Sequence, residues 1–526
     1  MSAGCVLCPL GKGVVREDVG MPPPASLGDD PAALRRALIA AHFTLDGVAD
    51  CLGPLASAAL HREQRLPADL ATRDNDSPVA ILIRLFALGL PVGVRQVDRA
   101  LAGWDTARLV AAGLVQVEGS RVRAAYDLRP YGDDDHQWWV ASDLSEVMTA
   151  EPLPVDHVLG IGGASTTLAS WTPRRKVRRA LDLGTGCGVQ ALHLAGHAGQ
   201  IVATDTSQRA LDIAEWNARL NGADWDLRRG DLFKPVAGQR FDLIVSNPPF
   251  VITPRADDVP TYEYRDGGRV GDGVVRTLIR ELPRHLEPGG VAQLLANWEV
   301  PEGSGWKDVV GTWFERSGLD AWVVQRDTQD PAEYAELWSG DGGLRSGAAG
   351  FEQMYAAWLR DFAARGVAEI GFGVITVQLP TTRRRPWLDL VEATGQVQSP
   401  MGPTIDAGLR ARTWLAEEGE QGLLDAHLTT APDVTEERHG RPGAEDPSVI
   451  VIRQGGGLRR AFTVDTALAA FVSVCDGELS TGQALDAIAS LLGVPADTLL
   501  REALPVIHEM VADGLLIAGG QAHVGS

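Results

Sequence analysis

Short apolar runs that stop at glycine or at a polar residue recur through the middle of the chain. Leu181-Asp182-Leu183 runs into Gly184-Thr185-Gly186-Cys187-Gly188, and Val189–Ala195 follows with helical spacing. Ile201–Asp205 is a second such run, ending on a carboxylate. Phe241–Ser246 is a third, and it enters Asn247-Pro248-Pro249-Phe250. Short buried runs bounded by turn formers predict strands, and their alternation with amphipathic stretches predicts βαβ units in a doubly wound, mostly parallel sheet. Val291–Ala296, Ala321–Gln325 and Ile370–Leu379 predict three more strands. Helices are expected at Pro331–Trp338 and Phe351–Arg365, with Met354, Trp358 and Phe362 on one core-facing stripe. In such a sheet ligands lie beyond the carboxyl ends of the strands.

The flanks have a different rhythm. Residues 1–28 are rich in Gly and Pro, carry no period and predict a flexible lead. Cys5-x-x-Cys8 lies there without a second pair, a poor basis for a metal or redox site. A module over residues 29–135 is mainly helical: Ala32–Phe43, a helix from Ser77-Pro78 to Leu88, Val94–Leu101 and Thr106–Ala112. A hairpin over Leu114–Ala124, turned at Gly119-Ser120, follows. Helices followed by a hairpin predict a winged-helix-like module. Arg95, Arg99, Arg121 and Arg123 either line a nucleic-acid face or are solvated on a docking domain. Asp133-Asp134-Asp135 reads as a solvated linker, and Gln137–Val140 as a strand. His157–Thr167 is a glycine-rich loop entering a helix, either an ordinary capped turn or a seat for a ligand carboxylate. A second winged-helix-like module is expected over residues 381–526. It has a strand at Ser448–Arg453 and helices at Val464–Val474, Gly482–Leu492 and Asp497–Ala512. The sheet domain takes residues 136–380.

Composition narrows the class. At 526 residues the chain exceeds one core, and 45% apolar with 22% charged residues is globular. A net charge of −21 argues against coating nucleic acid by bulk electrostatics, leaving only a local basic patch for that role. Five scattered cysteines make no disulfide framework, and no apolar run is long enough to span a bilayer. A cytoplasmic protein without membrane contact is expected.

The strand ends carry the chemistry. The glycines are spaced Gly184, Gly186 and Gly188, with Val189 where a dinucleotide fingerprint places its third glycine, which disfavours a nicotinamide cofactor. Asp205 can accept hydrogen bonds from two vicinal hydroxyls. Asn247-Pro248-Pro249-Phe250 suits a planar nitrogen, whose delocalised lone pair is a poor nucleophile. The Asn247 side-chain carbonyl and the Pro248 backbone carbonyl can accept its two N–H groups and favour the developing positive charge. Pro248 and Pro249 stiffen the loop, and Phe250 offers a stacking face. His193 reads as structural, Tyr262–Arg265 as either a lid or a plain loop, and no metal-ligand cluster stands out.

The glycine turn with Asp182 before it, Asp205, and Asp231 in Gly230-Asp231-Leu232-Phe233 resembles the class I S-adenosylmethionine-dependent methyltransferases. With Asn217, Asn221-Gly222 and the glycine-rich Asp266–Gly273, the stretch from about Arg179 to Leu295 resembles the release-factor glutamine methyltransferases and their relatives. Phe250 is an aromatic commoner among ribosomal-RNA guanine methyltransferases. The resemblance implies S-adenosyl-L-methionine as cofactor, held by Asp182, Gly184, Thr185, Gly186, Gly188, Asp205, Asp231 and Asn247. It also implies N-methyl transfer at Asn247–Phe250 to a macromolecule, either a translation factor or structured RNA. The alternative is a binding regulator with a non-catalytic cofactor fold.

Overall fold

The computed structural model describes residues 30–62, 64–149, 153–255, 264–341, 349–443 and 447–519. The Cys5/Cys8 pair, the 1–28 lead, Tyr262 and Glu263 lie outside the described residues. The centre is an eight-stranded sheet: β1 Val177–Leu183, β2 Ala198–Asp205, β3 Asp226–Arg229, β4 Phe241–Ser246, β5 Leu286–Pro301, β6 Asp320–Gln329, β7 Val367–Gln378 and β8 Leu388–Glu392. Their order is β8-β6-β7-β5-β4-β1-β2-β3. All neighbours are parallel except β7, which runs antiparallel to both β5 and β6. The winding reverses between β1 and β4, so the crevice opens above Leu183 and Ser246, where such folds hold ligands. Leu181, Val202, Leu243, Ile244 and Ala292 are fully buried, as strands covered by helices on both faces require.

Two expected boundaries move. The join at 135/136 cuts a hairpin, because Asp127–Gly132 pairs in register with Gln137–Ser142. Asp133, expected in a solvated linker, sits in the turn of that hairpin and is held by Arg174 and His136. At the other join, β8 lies beyond residue 380 yet pairs in parallel with β6. The hairpin forms a two-stranded sheet of its own, whereas β8 is an edge strand of the central sheet.

The N-terminal module, Pro31–Ala124, has six α-helices among its described residues, and Val92–Gly93 adds to the hairpin of Val115–Glu118 and Arg121–Ala124. Ser77 caps the expected helix through the Ala80 N–H, and its last turn, Ile83–Ala87, widens to a π-helix. The module shares a core with the sheet domain: Trp216 and Leu220, on helix Gln208–Asn221, pack into it beside Phe43 and Trp139. On that helix Asn217 exchanges two bonds with Ala141, and Asn221 two with Trp139, so both amides continue the edge of Gln137–Ser142. The C-terminal region contains the three expected helices. The expected strand is observed at Val449–Gln454, at the centre of a three-stranded antiparallel sheet, and a second such sheet was not expected. Arg412 fixes this region: its guanidinium stacks 3.7 Å from the Trp322 ring centroid and pairs with Asp389 and Asp513.

Candidate active site

The turn after β1 is built by backbone freedom. Gly184, Gly186 and Gly188 have φ of +78°, +54° and +90°, which side chains disfavour. A Cβ on Gly188 would lie 2.6 Å from the Trp225 ring, so glycine is also required there by packing. The Gly184 and Thr185 N–H groups both donate to the Thr204 carbonyl, tying the turn to β2. The Asp205 carboxylate accepts from the Gly186 N–H and the Ser207 N–H, each at 2.9 Å, and burial raises its pKa. No atom lies within 4 Å of where a Cβ on Gly186 would sit, so the turn offers bare backbone to the cavity.

That cavity has a volume of about 630 Å³ and runs along the strand ends, past Asp205 and Asp231 to Asn247–Val251. Asn247 is its sharpest feature: the side-chain Oδ1 is buried and has no hydrogen-bond partner. Burying an unpaired carbonyl costs roughly 1–3 kcal/mol unless a ligand donor completes it. Pro248 is buried, and Phe250 is half-buried where three core clusters meet. The loop beyond is fixed at several points. Ile252 donates its N–H to the Tyr334 hydroxyl, Val251 donates to the Arg265 carbonyl, and Arg255 grips Asp266 through two bonds. Arg265, expected in a lid or plain loop, is 2% exposed and donates to the Trp338 carbonyl. Together with Tyr264 it lines the cavity.

Comparison with known proteins finds a methyltransferase domain over this region. Residues 160–316 match the methyltransferase small domain. Two domains of unknown function flank it, DUF7059 over residues 40–125 and DUF7782 over residues 406–518. A release factor glutamine methyltransferase from Geobacter sulfurreducens is 40% identical over 159 residues, covering 28% of this chain and 52% of its own length. A ribosomal protein uL3 glutamine methyltransferase from Bradyrhizobium diazoefficiens is 40% identical over 125 residues, 22% of this chain and 39% of its own. Ribosomal RNA small subunit methyltransferase C from Salmonella arizonae is 30% identical over 218 residues, 40% of this chain and 56% of its own. The chain thus spans about half the length of these relatives. The fold is that of the class I methyltransferases.

Within the methyltransferase domain the expected residues divide into two groups. Gly184, Thr185, Gly186, Asp205, Asp231 and Asn247–Phe250 line the cavity. Asp231 is exposed and paired with Lys234 at 2.9 Å. Asp182 does not line it: the side chain is fully buried beneath the turn. Its Oδ2 accepts from the Thr185 hydroxyl at 2.6 Å and the Ala191 N–H at 3.0 Å. Burial raises its pKa to about 7. Its place is to shape the turn, not to touch a ligand. Gly188 likewise caps the following helix in the left-handed region, against Trp225. His193 is buried, bonded to the Tyr131 hydroxyl at 2.7 Å and edge-on to Trp138, and burial lowers its pKa to about 4.

Trp338 and Asp143 escape a reading by motif, whereas His157 opens the glycine-rich loop His157–Thr167 that the sequence offered as either a capped turn or a ligand seat. Trp338 comes from helix Pro331–Asp341, inserted between β6 and β7, and lines the cavity. The insertion itself was the signal, because helices between these strands must pack over the strand ends. Asp143 and His157 form the opposite wall, with Asp143 held by a two-pronged pair with Arg209 and by the Val158 N–H at 2.8 Å. Only tertiary packing brings those residues together.

Proposed function

We propose that this chain is an S-adenosylmethionine-dependent N-methyltransferase acting on a planar nitrogen in a macromolecule. The nitrogen is a protein glutamine amide or an exocyclic amine of a nucleobase in ribosomal or transfer RNA. The observation that carries the reading is the buried, unpartnered Asn247 Oδ1 on the cavity wall. The residues present also fit the cofactor: a glycine turn with open backbone, and the Asp205 carboxylate fixed beside it. The relatives named above, which act on release factors, a ribosomal protein and ribosomal RNA, support a place in the cytoplasm beside the translation machinery.

When bound, the cofactor supplies a methyl group activated on a sulfonium. Gly184–Gly186, Asp205 and Asp231 would hold it. Asn247 Oδ1 and the Pro248 carbonyl accept the two N–H groups of the acceptor and turn its lone pair toward the methyl. They also favour the charge that grows on nitrogen as the N–C bond forms, and the proton leaves afterwards to water. Positioning supplies most of the acceleration, so no strong base is needed.

The test uses radiolabelled cofactor and lysate from cells lacking this protein, with purified enzyme and the Asn247→Ala variant side by side. Label that depends on Asn247 and is removed by proteinase identifies an amide acceptor. Label removed by ribonuclease identifies a base. Full labelling by Asn247→Ala would sink the nitrogen-clamp assignment.

A further inference from the structure

A second cavity, of about 340 Å³, lies in the N-terminal module away from the methyl-transfer site. It opens between the segment Arg73–Asp76 that follows helix Leu66–Thr72, helix Pro78–Leu82, the start of helix Val94–Ala100 and the hairpin turned at Gly119-Ser120. Arg73, Arg84 and Arg121 converge on it, with Asp76, Gln96 and Asn75 on its rim, and no aromatic ring lines it. Among the described residues one carboxylate, Asp76, reaches the wall, and its Oδ1 already accepts from Gln96 at 3.1 Å. Asp69 stands behind the wall and is shared by two arginines, with Arg84 at 2.6 Å and Arg73 alongside. Arg121 spends one N–H on the Pro91 carbonyl at 3.3 Å. Three guanidinium groups thus line one cavity, with Arg73 and Arg84 sharing the single carboxylate of Asp69 and Arg121 facing no carboxylate in the wall but Asp76.

The surrounding charge agrees. Residues 31–124 hold 11 arginines, no lysine and 9 acidic residues, whereas the whole chain has a net charge of −21. This module is therefore the locally cationic part of an acidic protein. Of the arginines that the sequence placed on this face, Arg123 is paired with Glu118 at 3.0 Å and Arg99 donates to the Arg95 carbonyl. Arg121 alone of the four reaches the cavity.

We propose that this cavity seats a backbone phosphate of structured RNA, which makes RNA the macromolecule the enzyme engages. Guanidinium forks match phosphate oxygens in paired geometry, and their fixed planes suit a buried anion better than ammonium groups would. A cavity without aromatic rings offers nothing for a base to stack on, so the contact positions the chain and does not read sequence. An acidic peptide would meet the same positive charge, but a polar cavity with few apolar walls gives its side chains little to bury. The role assigned to the RNA rests on the methyl-transfer reading above; the phosphate seat itself does not.

The experiment keeps the two apart. Binding of a fluorescein-labelled RNA hairpin to the full-length chain is measured without cofactor, in the Asn247→Ala background, so methyl transfer plays no part. Arg121→Glu should weaken binding about 5–10-fold and lower the slope of log affinity against log salt by about 1. Arg121→Lys should fall between, because it keeps the charge and loses the fork. Arg108→Glu, the same charge change on an exposed residue outside the cavity, should leave the slope alone. Arg73→Gln serves as a second variant should Arg121→Glu fail to fold, and it should weaken binding in the same sense. Equal losses for Arg108→Glu and Arg121→Glu would reduce the contact to bulk charge and overturn the seat. So would unchanged RNA binding in both cavity variants, or tighter binding to a poly-glutamate peptide than to the hairpin.

Discussion

At one end of the methyltransferase cavity, the wall is a single turn, Gly184–Cys187, with Asp205 at the tip of the neighbouring strand, and Asp182 shapes that turn from beneath. At the other end, Asn247 and Phe250 are backed by residues from three distant segments: Tyr264–Arg265, the inserted helix carrying Tyr334 and Trp338, and the wall of Asp143 and His157. The first end is fixed by backbone conformation within one βαβ unit. The second is assembled by tertiary packing, so its shape depends on elements that can vary while the cofactor seat stays intact. Relatives named for a protein and for an RNA acceptor share sequence with this domain, so the domain alone does not fix the acceptor.

If the two ends are separable, substitutions should split cleanly between turnover and cofactor affinity. Asn247→Ala removes an acceptor that matters when charge grows on nitrogen, and turnover should fall about 100–1,000-fold. Cofactor affinity, read by calorimetry, should barely change. Asp205→Ala should do the reverse, weakening cofactor affinity about 10–100-fold through loss of charge-assisted hydrogen bonds. Turnover at saturating cofactor should stay near the parent value. A variant that moved both quantities together would join the two ends into one unit.

Tyr334→Phe probes the assembled end more gently. The hydroxyl accepts from the Ile252 N–H and from the Asn297 amide, both at 3.0 Å in a buried setting. Its removal leaves two buried donors without their acceptor, costing about 1–3 kcal/mol. Because Ile252 follows the Pro-Pro loop by two residues, the acceptor KM should rise several-fold while cofactor affinity holds. Steady-state kinetics with each substrate varied in turn would show the split. A change in cofactor affinity alone would mean that the inserted helix braces the wrong end.

The same division governs how much could be read from the chain before its fold was known. The strands β1, β2 and β4 and the glycine turn were legible because their signals are local: apolar runs, turn formers and a carboxylate at a strand end. Asp182 was placed on the ligand wall because position in sequence says nothing about which way a side chain faces at a strand end; it points down into the core. Asn217 and Asn221 looked like family markers, and their work is to continue the edge of a strand some 80 residues earlier. β3 and β8 were missed because edge strands bury little and show little apolar pattern. The helix that carries Trp338 was legible but its seat over the cavity was not, and the Asp143–Arg209 pair could not be placed without the packing that forms it.

Asp182 offers the smallest effect and the finest test of the local end. Its carboxyl is buried, with one oxygen bonded to Thr185 and Ala191 and the other without a partner, and burial lifts its pKa to about 7. In the unfolded chain it titrates near 4. A folded-state pKa above the unfolded one means the native state holds the proton more tightly. The associated stability is therefore complete below about pH 4 and is lost as pH rises through about 7. Asp182→Asn keeps an acceptor for the turn and cannot ionise, so its stability should not carry this loss. Thermal midpoints from pH 5 to pH 8 should fall for the parent relative to the variant, by about 2–4 °C for each kcal/mol involved. Glu299, also lifted to about 7 by burial, titrates in both proteins and cancels in the difference. Parallel midpoints would mean that Asp182 is ionised throughout, and that its bonds to Thr185 and Ala191 outweigh its burial.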